Sequence, residues 1–195
     1  SVVLPSPQIL EEAPSVWHRV SYGMIIFWRT PRLRGLLALN MVVSAAGSMQ
    51  IVNTVVYVRS VLGLGEQAVT MAFAAVGGSS MLVALLLPGI MDRFRERPFM
   101  LAGGVLMTLS LFLGLLAPGF AGLLGLWFLL GAGASLVMTP AGRLLKQSCQ
   151  PEDRPALFAT QFSLSHGCWL IAYPLAGWFG AQVGLLETFA LLGTL

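Results

Sequence analysis

The chain has 195 residues, of which 56% are hydrophobic and only 10% are charged. Soluble domains carry about 25% charged residues, so a chain this poor in charge cannot cover a folded surface against water. The composition excludes an ordinary soluble protein and predicts a membrane protein whose surface faces lipid. The formal net charge of +3 does not indicate a nucleic-acid binder, because the basic residues neither form one face nor alternate with surface aromatics.

Five long apolar stretches follow one another along the chain, each of about 20 to 25 residues. At about 1.5 Å per residue in a helix, such a stretch crosses a hydrocarbon core of roughly 30 Å. The predicted spans are Gly35–Val58, Gln67–Met91, Phe99–Pro118, Phe120–Leu144 and Leu157–Gly180. A last stretch, Leu185–Leu195, is too short to cross and is predicted to be the truncated start of a sixth helix. The pattern predicts an all-α membrane protein.

The basic residues divide the connections between these spans into two kinds. Ten of the eleven Lys and Arg lie before the first span, between the second and third, or between the fourth and fifth, and only Arg59 lies elsewhere. Because cytoplasmic loops carry an excess of Lys and Arg, these three segments are predicted to be cytoplasmic. The sequence therefore predicts a multi-pass membrane protein with these segments in the cytoplasm, and we expect it in the plasma (inner) membrane.

Residues 1–34 are predicted to form a cytoplasmic segment, and residues 35–195 the transmembrane domain. Within the first segment, the stretch SVWHRVSYGMIIFWRTPRLRGLL mixes aromatic and basic residues, and Pro31 is expected to break its helix. Such a pattern is typical of an amphipathic helix lying on the lipid bilayer at the cytoplasmic headgroups. It is too generic to indicate a site for a particular lipid or protein.

A dense group of charges, LPGIMDRFRERP at residues 87–98, separates the second and third spans. The simplest interpretation is a short cytoplasmic loop that follows the positive-inside rule. That rule explains the arginines and leaves Asp92 unexplained, because an acid at a helix C-terminus faces the unfavourable end of the helix dipole. Asp92 is more easily understood if it pairs with neighbouring arginines or caps another helix.

This loop resembles the cytoplasmic signature of the major facilitator superfamily, roughly G-x-x-x-D-R-x-G-R-R, which joins the second and third helices of each six-helix half. Asp92 and Arg93 match its Asp-Arg pair, and Arg97 matches a terminal basic position. The copy is degenerate, because Arg95 replaces the second Gly and Glu96 replaces a basic residue. A degenerate copy is typical of the C-terminal half of the family.

A second resemblance lies in the stretch TPAGRLLKQSCQPEDRP at residues 139–155. Pro140 and Arg143 match a Pro-x-x-Arg pattern that ends the fourth helix of a half, and the PEDR stretch matches an acidic-basic loop of the family. The resemblance implies an interhelical charge latch that helps to hold one access state. Its predicted members are Asp92, Arg93, Arg97, Arg143, Glu152 and Arg154.

The resemblance also implies the fold and the function. The chain would form the C-terminal half of a twelve-helix bundle, with the preceding six-helix half of the same chain as its partner. The substrate path of this family runs between the halves near mid-bilayer, and alternating access comes from one half rocking against the other. The leader and the LSHGCW segment resemble bacterial exporters of drugs, siderophores or nickel-type cations. These resemblances imply a secondary transporter that exports a small solute and is coupled to protons, with no cofactor beyond the proton gradient.

Polar side chains within the first span are candidates for this path, since polar groups inside a membrane are costly. Asn40, Ser44 and Thr54 fall within about 80° of one another on a helix with 100° per residue. Interhelical hydrogen bonding and a substrate-lining stripe are both open interpretations. The path candidates in this span are Asn40, Ser44, Gln50, Asn53, Thr54 and Tyr57.

In the fifth span, His166, Trp169 and Tyr173 form one stripe at helical spacing and are the remaining path candidates. His166 is the ionisable side chain predicted near the membrane centre, roughly 14 Å from the cytoplasmic end. Both a packing role and a proton or substrate role are open, because histidine titrates near neutral pH. His166 and Cys168 point about 200° apart on a helix, so no metal site is predicted there.

Three classes of function compete for these features. The spans contain no HExxH, GxSxG or paired carboxylates, so an enzyme is not predicted. A scaffold or assembly partner whose helices only pack would have no polar stripe, and transport is therefore favoured over it. The substrate stays open: the aromatic stripe suits an apolar drug-like molecule, whereas His166, with a partner from the preceding half, suits a nickel-type cation.

Overall fold

The computed structural model describes the backbone of residues 16–195 and the side chains from Ser21 onward, and all of its regular structure is helical. The helices are α1 (Val16–Arg29), α2 (Pro31–Val56), α3 (Glu66–Met91), α4 (Glu96–Leu113), α5 (Phe120–Gln147), α6 (Arg154–Gln182) and α7 (Leu185–Gly193). A π-helical turn, Tyr57–Val61, continues α2 toward the loop that precedes α3. Residues 1–15 of the predicted cytoplasmic segment lie outside the described part.

Four of these helices are long and apolar enough to cross a membrane. They cover Pro31–Val61, Glu66–Met91, Glu96–Leu116 and Phe120–Gln147. Most of their bounds equal or exceed those of the predicted spans by up to four residues, because a helix continues into the polar boundary while apolar composition reports only the lipid-facing part. The third predicted span ends too late, at Pro118, whereas the helix ends at Leu116 and Ala117 is left-handed with φ 48°. The helix α6 is just as long, but residues such as Gln161, Ser163 and His166 make it more polar. The protein is an all-helical multi-pass membrane protein, and five full spans with a truncated sixth stay a prediction.

The break between α1 and α2 lies at the position that the sequence predicts. Pro31 is in the first turn of α2, and Thr30 before it is extended, with φ −98° and ψ 107°. The proline ring disfavours helical geometry in the preceding residue, so α1 ends at Arg29. Proline is tolerated in the first helical turn, where its missing N–H costs no hydrogen bond.

Small residues let α5 pack closely against both α3 and α4. A Cβ placed at Gly131 would overlap the Ser79 hydroxyl of α3, and one at Gly103 would lie 2.6 Å from the carbonyl oxygen of Gly133. The Ser80 hydroxyl of α3 donates to the carbonyl oxygen of Gly131 at 2.8 Å. Such contacts hold membrane helices together, because lipid offers no hydrophobic driving force between them.

The helices α2 and α6 lie side by side and run in the same direction. Gly47 of α2 packs beneath the ring of Trp169, and Asn53 reaches the carbonyl oxygen of Ala176. Residue numbers therefore increase together along the two helices. Gln50, midway between Gly47 and Asn53, lies level with Tyr173.

The bundle has two ends that differ in chemistry. The arginine-rich end carries the α1–α2 junction and the α3–α4 and α5–α6 loops, which include nine of the eleven Lys and Arg within the described residues. The opposite end carries the α2–α3, α4–α5 and α6–α7 loops. An aromatic cluster of Tyr57, Trp127 and Phe189 fills the core near this opposite end, with both other rings at 6.2 Å from Phe189.

Candidate functional site

The polar residues predicted on the first span all lie inside the bundle. None of Asn40, Ser44, Gln50, Asn53, Thr54 and Tyr57 is more than 7% exposed. Residues 43–50 of their helix, α2, are buried apart from the half-buried Gly47, whereas Ile51 beside them is 53% exposed. The structure gives most of these side chains hydrogen-bond partners within the bundle, and their place in a substrate path stays a prediction.

Three of these residues bond to the backbone of α2 itself. The Asn40 amide nitrogen donates to the carbonyl oxygen of Leu36 at 3.0 Å, and the Ser44 hydroxyl donates to that of Asn40 at 2.8 Å. The Thr54 hydroxyl donates to the carbonyl oxygen of Gln50. Short polar side chains at this spacing satisfy themselves locally, which makes them tolerable in a helix surrounded by apolar groups.

Three further bonds tie α2 to its neighbours. The Asn53 amide nitrogen donates to the carbonyl oxygen of Ala176 on α6 at 3.1 Å. The indole N–H of Trp127 on α5 donates to the Thr54 hydroxyl at 2.7 Å, and the Tyr57 hydroxyl donates to the carbonyl oxygen of Pro118 at 2.9 Å. These bonds stabilise the packing of α2 against three other segments.

Gln50 is the exception among the buried polar residues of α2. Its amide nitrogen is fully buried, and no hydrogen-bond partner for it exists within the described residues. On a helix with 100° per residue it lies about 60° from both Asn53 and Gly47, the two positions that contact α6. A buried amide without a partner is costly, so it marks a position where another group is expected to bond.

The stripe predicted on α6 lies at the surface. His166 is exposed, Tyr173 is 38% exposed, and Trp169 is half-buried against Gly47. Two tilted ring pairs lie along the stripe: Phe162 with His166 at 4.0 Å between centroids and 35° between planes, and Trp169 with Tyr173 at 5.0 Å and 34°. The His166 Nδ1 lies 2.8 Å from the carbonyl oxygen of Phe162, which leaves the outer nitrogen of the ring free for another partner.

His166 and Cys168 lie on opposite sides of α6. Cys168 is buried on the inner side of α6 while His166 is exposed on the outer side. Within the described part of the chain, no group of three or more His, Cys, Asp and Glu is close enough to hold an ion.

A cluster of charges joins three helices at the arginine-rich end. The Arg143 guanidinium, at the end of α5, contacts the Glu96 carboxylate at the start of α4 at 2.7 Å. The same guanidinium donates to the carbonyl oxygen of Met91, the last residue of α3, at 2.9 Å. Gln147 on α5 donates to Glu96 at 3.0 Å. We call Arg143, Glu96, Gln147 and Met91 the three-helix clamp.

Glu96 and Gln147 are clamp residues that the sequence analysis does not predict. In the family motif Glu96 is only a departure from a basic position, yet it is just 8% exposed and pairs with a predicted latch residue. One signal in the sequence could have found it: an acid in the first turn of a helix is favoured by the helix dipole.

The other predicted latch residues are not part of this clamp. Asp92, Arg93 and Arg97 are exposed, and among residues 21–195 they form no ion pair. Glu152 is exposed as well, and the buried Nε of Arg154 has no hydrogen-bond partner among the described residues. Their role in a latch stays a prediction.

The fold and these features define a helical membrane protein with a self-satisfied central helix, an exposed polar-aromatic stripe and a charged clamp at one end. The family model of the Major Facilitator Superfamily matches residues 36–195, so the chain belongs to this family. Its members are transporters and not enzymes, and the chain is a transporter of the major facilitator type. The membership predicted from the motifs is thereby confirmed. No curated protein matches the chain.

Proposed function

We propose that the protein is a secondary transporter that exports a small solute by alternating access and is driven by the proton gradient. The observation that supports this proposal most directly is the exposed stripe of α6. Burying or covering an imidazole and two aromatic hydrogen-bonding rings with lipid would be costly. An aqueous path beside α6 gives these groups water and solute to bond.

Within this proposal, His166 is the proton-responsive group of the stripe. Its outer ring nitrogen is free, and imidazole exchanges protons near neutral pH. Gln50, level with Tyr173 on the neighbouring helix, offers an amide that lacks a bonding partner. The path would thus contain one titratable group, one hydroxyl and one amide beside a run of aromatic faces.

The paired aromatic rings favour a drug-like solute with a flat apolar surface over a metal ion. The pairs Phe162–His166 and Trp169–Tyr173 present π faces, which bind planar molecules and organic cations. A nickel-type cation is the second candidate, since imidazole is a good ligand for such ions. Because Cys168 faces inward, that ion would need its further ligands from outside the described residues.

We assign the three-helix clamp to the conformational switch between the two access states. Arg143 ties the end of α3, the start of α4 and the end of α5 into one unit, so these ends move together or not at all. Asp92, Arg93 and Arg97 on the same loop, with Glu152 and Arg154, are free to pair with a preceding six-helix half in one access state.

Transport in everted membrane vesicles tests the proposal, with the protein expressed from its complete gene. The vesicles are energised, and the internal acidity is followed with a fluorescent amine while a cationic drug dye and Ni²⁺ are offered in turn. Wild type is compared with His166→Ala, Tyr173→Phe and Asp92→Asn. Ser165→Ala is the matched control, because its hydroxyl bonds only to the carbonyl oxygen of Phe162 within the described residues.

Proton release that one substrate triggers in wild type and Ser165→Ala, and that His166→Ala loses, supports a proton-coupled exporter and tells which class of solute it carries. No release with any substrate, from protein that is correctly inserted, contradicts the proposal. The scaffold alternative would then be preferred, and the well-packed α2 would be its main evidence.

A further inference from the structure

An open apolar groove runs between α2 and α4. It has a volume of about 290 Å³. Leu39 and Val42 of α2 form one wall, and Leu101, Gly104, Val105 and Leu109 of α4 form the other. Gly104 lets the walls meet at the floor, since a Cβ there would lie 2.7 Å from the Leu39 side chain.

The contact between Leu39 and Gly104 fixes the register of the two helices. Both helices start at the arginine-rich end and run in the same direction, so residues equally far before this contact lie level. Arg32 precedes Leu39 by seven residues, and Arg97 precedes Gly104 by seven. The two arginines therefore lie level with each other, about 10 Å from the contact along the helix axes.

Both arginines also lie on the groove side of their helices. Seven residues at 100° per residue return to within about 20° of the starting direction, so Arg32 shares the face of Leu39 and Arg97 shares the face of Gly104. Both side chains are exposed, and neither has a hydrogen bond or ion pair among residues 21–195. Arg34, by contrast, lies about 140° away from the face of Leu39, and Arg95 is the extended residue that precedes α4.

The charge around the groove mouth is one-sided. The sequence has no Asp or Glu between Ala13 and Gly65, so no acidic residue close to Arg32 in the chain can neutralise its positive charge. The α3–α4 loop carries Arg93, Arg95 and Arg97 against the single unpaired acid Asp92, because Glu96 is engaged by Arg143. A guanidinium binds phosphate oxygens in a bidentate manner, and two guanidiniums at one level make a phosphate site.

We propose that this groove binds one anionic phospholipid from the bilayer. The phosphate lies between Arg32 and Arg97, and an acyl chain lies in the groove between α2 and α4. From Arg97 to Leu109 the helix rises about 18 Å, which fits a headgroup plus one leaflet of a hydrocarbon core of roughly 30 Å. Arg97 is also one of the proposed latch residues, but the test below measures lipid binding and not transport, so its failure and the failure of the transport test are distinguishable.

Native mass spectrometry of the purified full-length protein, with lipid added back in detergent, tests this proposal. The probes are a phosphatidylglycerol, a phosphatidylcholine with the same acyl chains, and glycerol phosphate without chains. The double variant Arg32→Gln/Arg97→Gln removes the headgroup site, and Arg34→Gln/Arg95→Gln is its matched control with the same loss of charge. Val105→Trp fills the groove, and Leu85→Trp on the exposed side of α3 controls for the bulk of the new ring.

The proposal predicts one tightly bound phosphatidylglycerol per wild-type chain. Its affinity falls about 30-fold in Arg32→Gln/Arg97→Gln, at roughly five-fold per arginine, and stays near wild type in the control pair. Val105→Trp loses the lipid and Leu85→Trp keeps it.

Equal loss of affinity in the two arginine pairs would mean a diffuse basic surface and overturn the site. Equal binding of phosphatidylcholine would overturn the phosphate selectivity, and equal binding of glycerol phosphate would overturn the role of the groove. A wild-type dimer that Val105→Trp abolishes would make the groove an interface between copies and also overturn the proposal.

Discussion

The helices α2 and α6 carry polar stripes that look alike in sequence and differ in every physical respect once folded. On α2 the polar groups point inward and, apart from the Gln50 amide nitrogen, find partners within the bundle, as Asn53 does with Ala176. On α6 the polar and aromatic groups lie at the surface, and His166 keeps one ring nitrogen free. The comparison teaches that a polar residue in a membrane helix can stabilise packing or offer a binding group, and that its surroundings decide which.

The largest expected effect breaks the contact between the two helices. Gly47→Leu places a side chain where the Trp169 ring already lies, so it should destabilise the protein by about 1–3 kcal/mol through overpacking. Gly77→Leu is the control, because no atom lies within 4 Å of a Cβ built there. The measurement is thermal unfolding of both variants in the same detergent. Equal melting temperatures would mean that α2 and α6 do not pack as described.

The next effect separates the buried stripe from the exposed one. Asn53→Ala removes a buried interhelical hydrogen bond and leaves the Ala176 carbonyl oxygen without that partner, a loss of about 1–2 kcal/mol. His166→Ala should change stability by no more than about 0.5 kcal/mol, because its side chain is exposed. Denaturant titrations of the two variants give the comparison. If His166→Ala were the more destabilising change, the exposed stripe would be a packing element.

A smaller effect is expected at the three-helix clamp. Glu96→Gln removes the charge that faces Arg143 and should cost about 1 kcal/mol, since the guanidinium is partly exposed and its attraction is screened. Asp92→Asn, four residues earlier, is the matched change of charge and should leave stability unaltered. Unfolding midpoints measured at low and high salt check both values. A larger loss in Asp92→Asn would make Asp92 the structural acid of this loop.

The smallest effect concerns Cys149, which lies in the loop that leads into α6. Burial raises the pKa of its thiol above the ordinary value, Arg154 lowers it, and Asp153 raises it further. Because the folded-state pKa is the higher one, the stability linked to this group is present below the ordinary thiol pKa and is lost as pH rises through the folded value. Alkylation with N-ethylmaleimide at pH 7–9 should be slower than for a free thiol, and faster in Asp153→Asn than in Arg154→Gln. The opposite order for the two variants would contradict the assigned charges.

The class of protein and much of the fold could be predicted from the sequence. Low charge and apolar runs report directly on lipid exposure, which is why the first four spans agree with α2 to α5 within a few residues. The break before Pro31 was predictable because proline acts on its immediate neighbour. Features that depend only on neighbouring residues in the chain could therefore be predicted.

The site was less predictable because it depends on which helices meet. A helical wheel places both Asn53 and Tyr173 on polar faces of their helices. It cannot show that the face of Asn53 meets a neighbouring helix while Tyr173 is exposed. The pairing of Glu96 with Arg143 joins residues far apart in the chain and needs the packing of α4 against α5. Trp127 was missed for the same reason, although an indole N–H inside a membrane does need a partner, which here is Thr54.

The central claim is that the α6 stripe lines an aqueous path, while the rest of the exposed α6 surface faces lipid. Single cysteines at His166→Cys, Tyr173→Cys and Leu170→Cys test it, in a background with Cys149→Ser and Cys168→Ser. Leu170 is 75% exposed on the same helix and lies beside the stripe. In proteoliposomes, a charged water-soluble thiol reagent should label positions 166 and 173 and spare position 170. Labelling of all three at one rate, or of none, would contradict the claim.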